Sequence, residues 1–335
     1  MLEFRGQGVQ IPEFERMTHV RTRVERLRGR VGRGDTARRR WLGALVVACL
    51  LGSAGAAEAA VVLVVKSAAA GPYDQAVTAL QGALRGHDVR VEDLRGDRNR
   101  IAAVAERARA AEVALVVAVG PLAVEAVRAS GKPIVYLLAP EGAVAGLRGQ
   151  TTGVRIGLQP ARYLALIKRL LPRARRVAVL YDPARSTWVV SEGREAARTL
   201  GLTLVETRVQ DPRAVPFAVR GIHADVLWLI LDDTVVTRTS YPLILRTTLE
   251  ARIPTVTFSQ DLVRAGALAA LEADFADSGT KAAGLAQQVL GGRAPAELPP
   301  AWPAGRLHLN ERVAQQLSLP LPAELQRFAG RVLPQ

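Results

Sequence analysis

Along the chain, short unbroken apolar runs alternate with segments whose apolar residues recur every three or four positions. Val61 to Val65 is continuous and rich in β-branched side chains, the pattern of a strand covered on both faces. Pro72 to Arg85 then sets Val77, Leu80 and Leu84 on one helical face. His87 to Leu94 alternates as a strand, and Ile101, Val104, Ala105 and Ala108 stripe a helix. Val113 to Val119 is another buried strand, closed by Gly120-Pro121, followed by a short helix over Leu122 to Ser130 and a strand over Ile134 to Leu138. Strict β/α alternation predicts a parallel sheet with right-handed crossovers and helices on both faces.

At Gln150-Thr151-Thr152-Gly153-Val154 the plan halts, and after Pro160 it begins afresh. Pro160, at the first position of a helix striped by Leu164, Ile167 and Leu171, opens a second set of elements. Val177 to Tyr181, Leu202 to Glu206, Val226 to Leu231, Pro254 to Phe258 and Ala267 to Glu272 read as strands. Ser186 reads as the N-cap of a helix with Val189, Ala196 and Leu200 inward, and Asp211-Pro212 as the cap and first residue of another. A last helix runs from Ser278 to Leu290 and stops at Gly291-Gly292. The fold class is therefore α/β, with two Rossmann-like parallel-sheet lobes joined by a hinge at Thr152-Gly153-Val154. The expected divisions are a leader at 1–59, a first lobe at 60–152 completed by a helix at 277–295, a second lobe at 153–276, and a tail at 296–335 packed on the lobes.

A chain of 335 residues exceeds what one hydrophobic core usually serves, which agrees with two lobes. The net charge of +14 suggests nucleic acid at first sight, but the excess is dispersed along the chain and Arg outnumbers Lys about tenfold. No nucleic-acid partner is expected. Arg38-Arg39-Arg40, the apolar run Trp41 to Leu51 and the small residues to Ala60 form a secretory signal pattern, with Ala54-Gly55-Ala56 or Ala57-Glu58-Ala59 as cleavage sites. Val46-Val47-Ala48-Cys49 also resembles a lipoprotein box, and a membrane-anchored form is the third alternative. Cys49 is the sole cysteine, so the exported chain would hold no disulfide, thiol nucleophile or thiolate metal site.

In open parallel sheets ligands sit beyond the carboxyl ends of the strands. That rule selects Ser67, Gly120, Pro121, Pro140 and Glu141 in the first lobe. In the second it selects Asp182, Asp232, Asp233, Thr234 and Ser259, with Ser186 and Thr187 at a helix N-terminus suited to an anion. An aspartate there can hold an ammonium or a hydroxyl, or can equally cap the following helix. Tyr73, Tyr181, Trp188 and Phe258 could stack on a flat ligand or simply fill the core. His87, His223 and His308 show no metal spacing, and the chain carries no GxGxxG after a strand, no P-loop, no Gly-x-Ser-x-Gly and no His-Glu-x-x-His. No catalytic residue, cofactor or metal is expected.

Thr152-Gly153-Val154, Val179-Leu180-Tyr181-Asp182-Pro183, Leu231-Asp232-Asp233-Thr234-Val235, Ile253-Pro254-Thr255, Gly266-Ala267-Leu268 and the tail Leu309-Asn310 occur in an order and spacing of their own. Over about residues 60–330 the chain resembles the ABC-transporter substrate-binding proteins of the periplasmic-binding-protein type I fold, in the branch that includes tryptophan and tyrosine binders. The resemblance implies hinge closure over a small polar ligand, an inner-membrane ABC permease as partner, and a periplasmic monomer. The alternative is a ligand-sensing subunit for a membrane kinase. Asp182 stands where the family has Asn, Gly120-Pro121 lacks the family's hydroxyl, Ala139-Pro140 replaces Asp-Pro, and Glu141 replaces a small residue. The family's substrate therefore does not carry over directly.

Overall fold

In the computed structural model, which describes residues 60–147, 149–327 and 332–333, alternate residues of β1 (Val61–Lys66) enter different cores. Val62 and Val64 pack with Leu115, Val117 and Val119, whereas Leu63 and Val65 pack with Val116 and Ala118. A strand apolar on both faces is stable only with cover above and below, and the helices of both sides supply it. β2 (Asp88–Asp93), β3 (Val113–Val119), β4 (Ile134–Leu137) and β5 (Thr151–Val154) complete a parallel sheet in the order β2-β1-β3-β4-β5.

β6 (Arg176–Tyr181), β7 (Thr203–Arg208), β8 (Val226–Trp228), β9 (Thr255–Thr257) and β10 (Ala269–Ala273) form a second parallel array in the order β7-β6-β8-β9-β10. Both sheets therefore wind the same way, each with a switch point beside its first strand. Val177, Val179 and Tyr181 enter one core, and Ala178 and Leu180 the opposite one. The tail, expected only to pack on the lobes, adds β11 (Gly305–Leu309) antiparallel to β10, with β12 (Val332–Leu333) antiparallel to β11. Leu307, fully buried opposite Leu271, gives that strand its hold on the core. Every expectation for residues 1–59, leader and Cys49 included, lies outside the described residues.

Three crossings join the sheets, and they are bonded to one another. Arg155 N–H donates to Ala301 O (2.9 Å), and Ala301 N–H donates to Gly153 O (2.8 Å), so the first and third crossings run as a short parallel bridge. Buried Thr152 donates its hydroxyl to Leu298 O (2.8 Å). The second crossing is held by Asp274 N–H to Ala304 O (2.9 Å). β5 belongs wholly to the first sheet, so the boundary expected at residue 152 falls inside a strand. After the second crossing, α10 (Phe275–Leu290) packs on α1 (Gly71–Ala83), where a Cβ on Gly279 would overlap the Ala76 carbonyl. Ala282, Ala283, Ala286 and Val289 share one core with Val77, Leu80 and Leu84.

Candidate functional site

At the first switch point the chain needs glycine. Gly120 has φ +87°, and a Cβ there would lie 2.6 Å from Ser67 Oγ and 2.7 Å from the Tyr73 hydroxyl. Ser67 is buried, and its Oγ accepts the N–H of Ala123 (2.9 Å) in the first turn of α3 (Pro121–Val127), which starts at the exposed Pro121. Tyr73 is half-buried, and burial pushes its phenol above the usual value. Ser67, Tyr73 and Gly120 are thus brought together. β4 is followed by Leu138 at φ +53°, a left-handed conformation that a branched residue adopts only when its surroundings enforce it. That turn leads through exposed Pro140 to Glu141, the first residue of α4 (Glu141–Val144).

At the second switch point the sheet order places Asp182, after β6, beside Asp232, after β8. Asp232 is 2% exposed and accepts four hydrogen bonds. Oδ1 takes the N–H groups of Thr234 (3.0 Å) and Val235 (3.2 Å); Oδ2 takes Asp182 N–H (2.8 Å) and the Ser186 hydroxyl (2.7 Å). Asp182 accepts Ala184 N–H (2.9 Å) and the Thr234 hydroxyl (2.8 Å), and that hydroxyl first, then the Ala184 N–H, hold its carboxyl below the usual aspartate range. Of the carboxylates expected to face a ligand, Asp182 and Asp232 are thus hydrogen-bonded from within the protein.

This arrangement also corrects the helix start. α6 (Pro183–Thr199) is capped by Asp182, not Ser186. Ser186 lies inside the first turn, its N–H already bonded to Asp182 O (2.9 Å), and Thr187 turns its hydroxyl back to Pro183 O (2.6 Å). No free N–H groups therefore gather at Ser186 and Thr187. Asp182 is the better cap because Pro183 follows it, and proline is pre-shaped for the first helical position. Asp233 is exposed, with Arg185 at 3.8 Å. Tyr181 is buried and donates to Glu206 (3.2 Å), Phe258 packs on both cores of the second lobe, and Ser259 caps α9 (Gln260–Arg264).

Where the crossings meet, the fold assembles a cluster that the pattern of strand ends only partly marks. Arg155 Nη1 lies 2.6 Å from Glu141 Oε1. The Arg155 guanidinium stands 4.7 Å from the ring centre of Trp302, on the third crossing, and 5.4 Å from that of Trp188 on α6. The two indoles are 6.3 Å apart and tilted by 36°. Tyr136 of β4 closes in beside them because Gly153 has no side chain to obstruct it; its phenol is pushed up to about 12, by burial first and by the Glu141 charge second, with Arg155 opposing. Glu141 and Trp188 were marked by the sequence, whereas Arg155, Trp302 and Tyr136 were not. Adjacency to the crossing was the available signal for Arg155; nothing local distinguishes Trp302.

Elsewhere, His308 of β11 faces Glu272 of β10, with Nε2 to Oε2 at 3.2 Å. Among the described residues no group of three or more His, Cys, Asp or Glu is placed to hold a metal ion. No helix among them is long and apolar enough to cross a membrane.

Residues 63–333 match the family model described as ABC transporter substrate binding protein. A tyrosine-binding protein of Clostridioides difficile strain R20291 is 28% identical over 155 residues, which span 45% of this chain and 44% of that protein. The chain thus covers less than half the length of that relative. The ligand-free, open structure of CD0873, a substrate-binding protein with adhesive properties from Clostridium difficile, superposes with a TM-score of 0.67 at 20% identity, covering 82% of this chain and 99% of the other. An ABC domain from Streptococcus pneumonia in complex with L-Trp gives 0.60 at 22% identity, with the same coverage. These structural likenesses carry the fold, two α/β lobes of the periplasmic-binding-protein type I kind. With the family model spanning nearly all the described residues, the chain belongs to the ABC transporter substrate-binding protein family.

Proposed function

We propose that this chain is an exported solute-binding protein that captures a small amino acid, an aromatic one first among them, between its lobes. In this reading the closed, monomeric form docks on an inner-membrane ABC permease in the periplasm. The observation that carries the reading is the trio of mutually bonded crossings between two sheets whose five parallel strands follow the same order. Rotation about a few crossing residues closes such a pair of lobes without repacking either core. The amino-acid class is supported by the relatives, one named for tyrosine and one solved with L-Trp.

A thermal-shift screen of the purified protein against amino acids, nucleosides and small organic acids tests the ligand class. Ligand at about a hundred times its Kd adds about 2.7 kcal/mol to stability, enough for a clear rise in Tm. Small-angle scattering at saturating ligand should then show a smaller radius of gyration at unchanged mass. A shift with nucleosides or organic acids alone would overturn the amino-acid reading, and an unchanged radius would overturn hinge closure.

A further inference from the structure

We propose that Arg155, Glu141, Trp188 and Trp302 form a charge-exchange subsite, in which the resting Glu141–Arg155 ion pair opens to admit the carboxylate and the ammonium of an α-amino acid. The proposal rests on the amino-acid reading above and assigns it to side chains that the strand-end rule does not select together.

The resting pair is incomplete in a telling way. A guanidinium can grip a carboxylate with two parallel N–H bonds. Here Glu141 takes a single bond, at Nη1. Arg155 Nε is buried without a hydrogen-bond partner among the described residues. No hydrogen bond to Glu141 Oε2 is formed among them either. Both side chains remain partly open to solvent, at 24% and 31% exposure, so a dissolved ligand can reach the pair.

The two indoles explain why the guanidinium stays in place when its partner changes. Trp302 and Trp188 lie at 4.7 and 5.4 Å from its carbon, which favours the cation over the rings and leaves its N–H edge for a carboxylate. The three parts come from different segments: Glu141 from the first lobe, Trp188 from the second, and Arg155 and Trp302 from the crossings themselves. A ligand seated there touches both lobes and the hinge, as a ligand that favours the closed state must. Charge matching is internal to the pair. The ligand carboxylate takes the place of the Glu141 carboxylate on Arg155, and the ligand ammonium takes the place of the guanidinium at Glu141. Neither charge of the protein is left unpaired when a zwitterion enters. A ligand bearing only one of the two charges strands the other residue, which makes the site selective for zwitterions.

Calorimetry of the full chain with L-tryptophan, tryptamine and indolepropionate, repeated with L-tyrosine and tyramine, tests this. The wild type should prefer each amino acid over the analogue lacking either charge by about tenfold or more. Glu141→Gln should abolish the preference over indolepropionate, and Arg155→Gln the preference over tryptamine. Arg155→Lys should keep the charge but bind the amino acid more weakly, for want of the fork. Two outcomes overturn the subsite while leaving amino-acid binding standing: preferences unchanged in the variants, or all ligands weakened alike with a lowered Tm. If the wild type binds neither amino acid, both the subsite and the reading beneath it fall.

Discussion

Replacing Asp232 by asparagine should destabilise the second lobe markedly. Asp232 is 2% exposed and accepts from Thr234 N–H, Val235 N–H, Asp182 N–H and the Ser186 hydroxyl at 2.7 to 3.2 Å. An asparagine keeps one oxygen, which can still serve Thr234 and Val235. Its amide nitrogen then faces the Asp182 N–H, donor against donor, while the Ser186 hydroxyl can rotate and accept. One backbone donor is stranded in a buried site, at about 1–3 kcal/mol, and the charge-assisted character of the remaining bonds is lost as well. The sum is about 2–4 kcal/mol, a large share of a typical folding free energy. Asp232→Ala, which strands every donor, should reach the upper end or beyond. Asp233→Ala is the control: its carboxyl is 77% exposed and merely 3.8 Å from Arg185, so the change should stay within about 0.5 kcal/mol. Urea unfolding followed by circular dichroism and by tryptophan fluorescence gives both values, provided the slope against urea is unchanged. If Asp232→Asn unfolds at the wild-type midpoint yet loses ligand affinity by about a decade, the carboxylate is a ligand contact and the capping argument is refuted.

Three further expectations follow from the same geometry. Gly279→Ala should cost about 1–3 kcal/mol or more, because its Cβ would overlap the Ala76 carbonyl where α10 crosses α1; a wild-type unfolding midpoint would show that the two helices are not in such close contact. Thr152→Val should cost about 1–2 kcal/mol by leaving the buried Leu298 carbonyl unpaired at the crossings, and scattering should show whether the resting lobe angle widens with it. The third concerns acid. Burial alone would raise the Asp274 carboxyl, but the Asp277 N–H it caps and the Arg306 guanidinium at 2.8 Å hold it below its ordinary value of 3.8. Its contribution is therefore complete above that value and is lost as pH falls through the lower folded value. Asp274→Asn should lower stability at neutral pH, with the gap to wild type closing as the solution is acidified below about pH 4; a gap constant with pH would refute the linkage.

The repeated α/β plan was legible in the order of residues alone. Runs such as Val61 to Val65 and Val177 to Tyr181 are apolar at every position, and that local pattern is stable only as a strand covered on both sides. The pause at Thr152-Gly153-Val154 located the crossing within a few residues, and Pro160 marked the restart. Even the tail strand β11 was hidden, since Gly305–Leu309 alternates too briefly to distinguish a sheet edge from a loop, and only its pairing with β10 makes it one.

Tertiary structure decided how the polar residues are used. A carboxylate at a strand end reads the same whether it caps a helix or faces a ligand, because the choice depends on which donors the sheet order brings to it. Placing β6 beside β8 delivers Asp182 N–H and Ser186 to Asp232, residues 50 and 46 positions away, and so fills every acceptor the side chain has. Likewise Glu141, Arg155, Trp188 and Trp302 are scattered across four segments, and none of them carries a local pattern that names the others. Hydrophobic periodicity reports burial, a property each segment has on its own. A polar cluster is a property of the crossings that bring segments together, and those exist only once both lobes have folded.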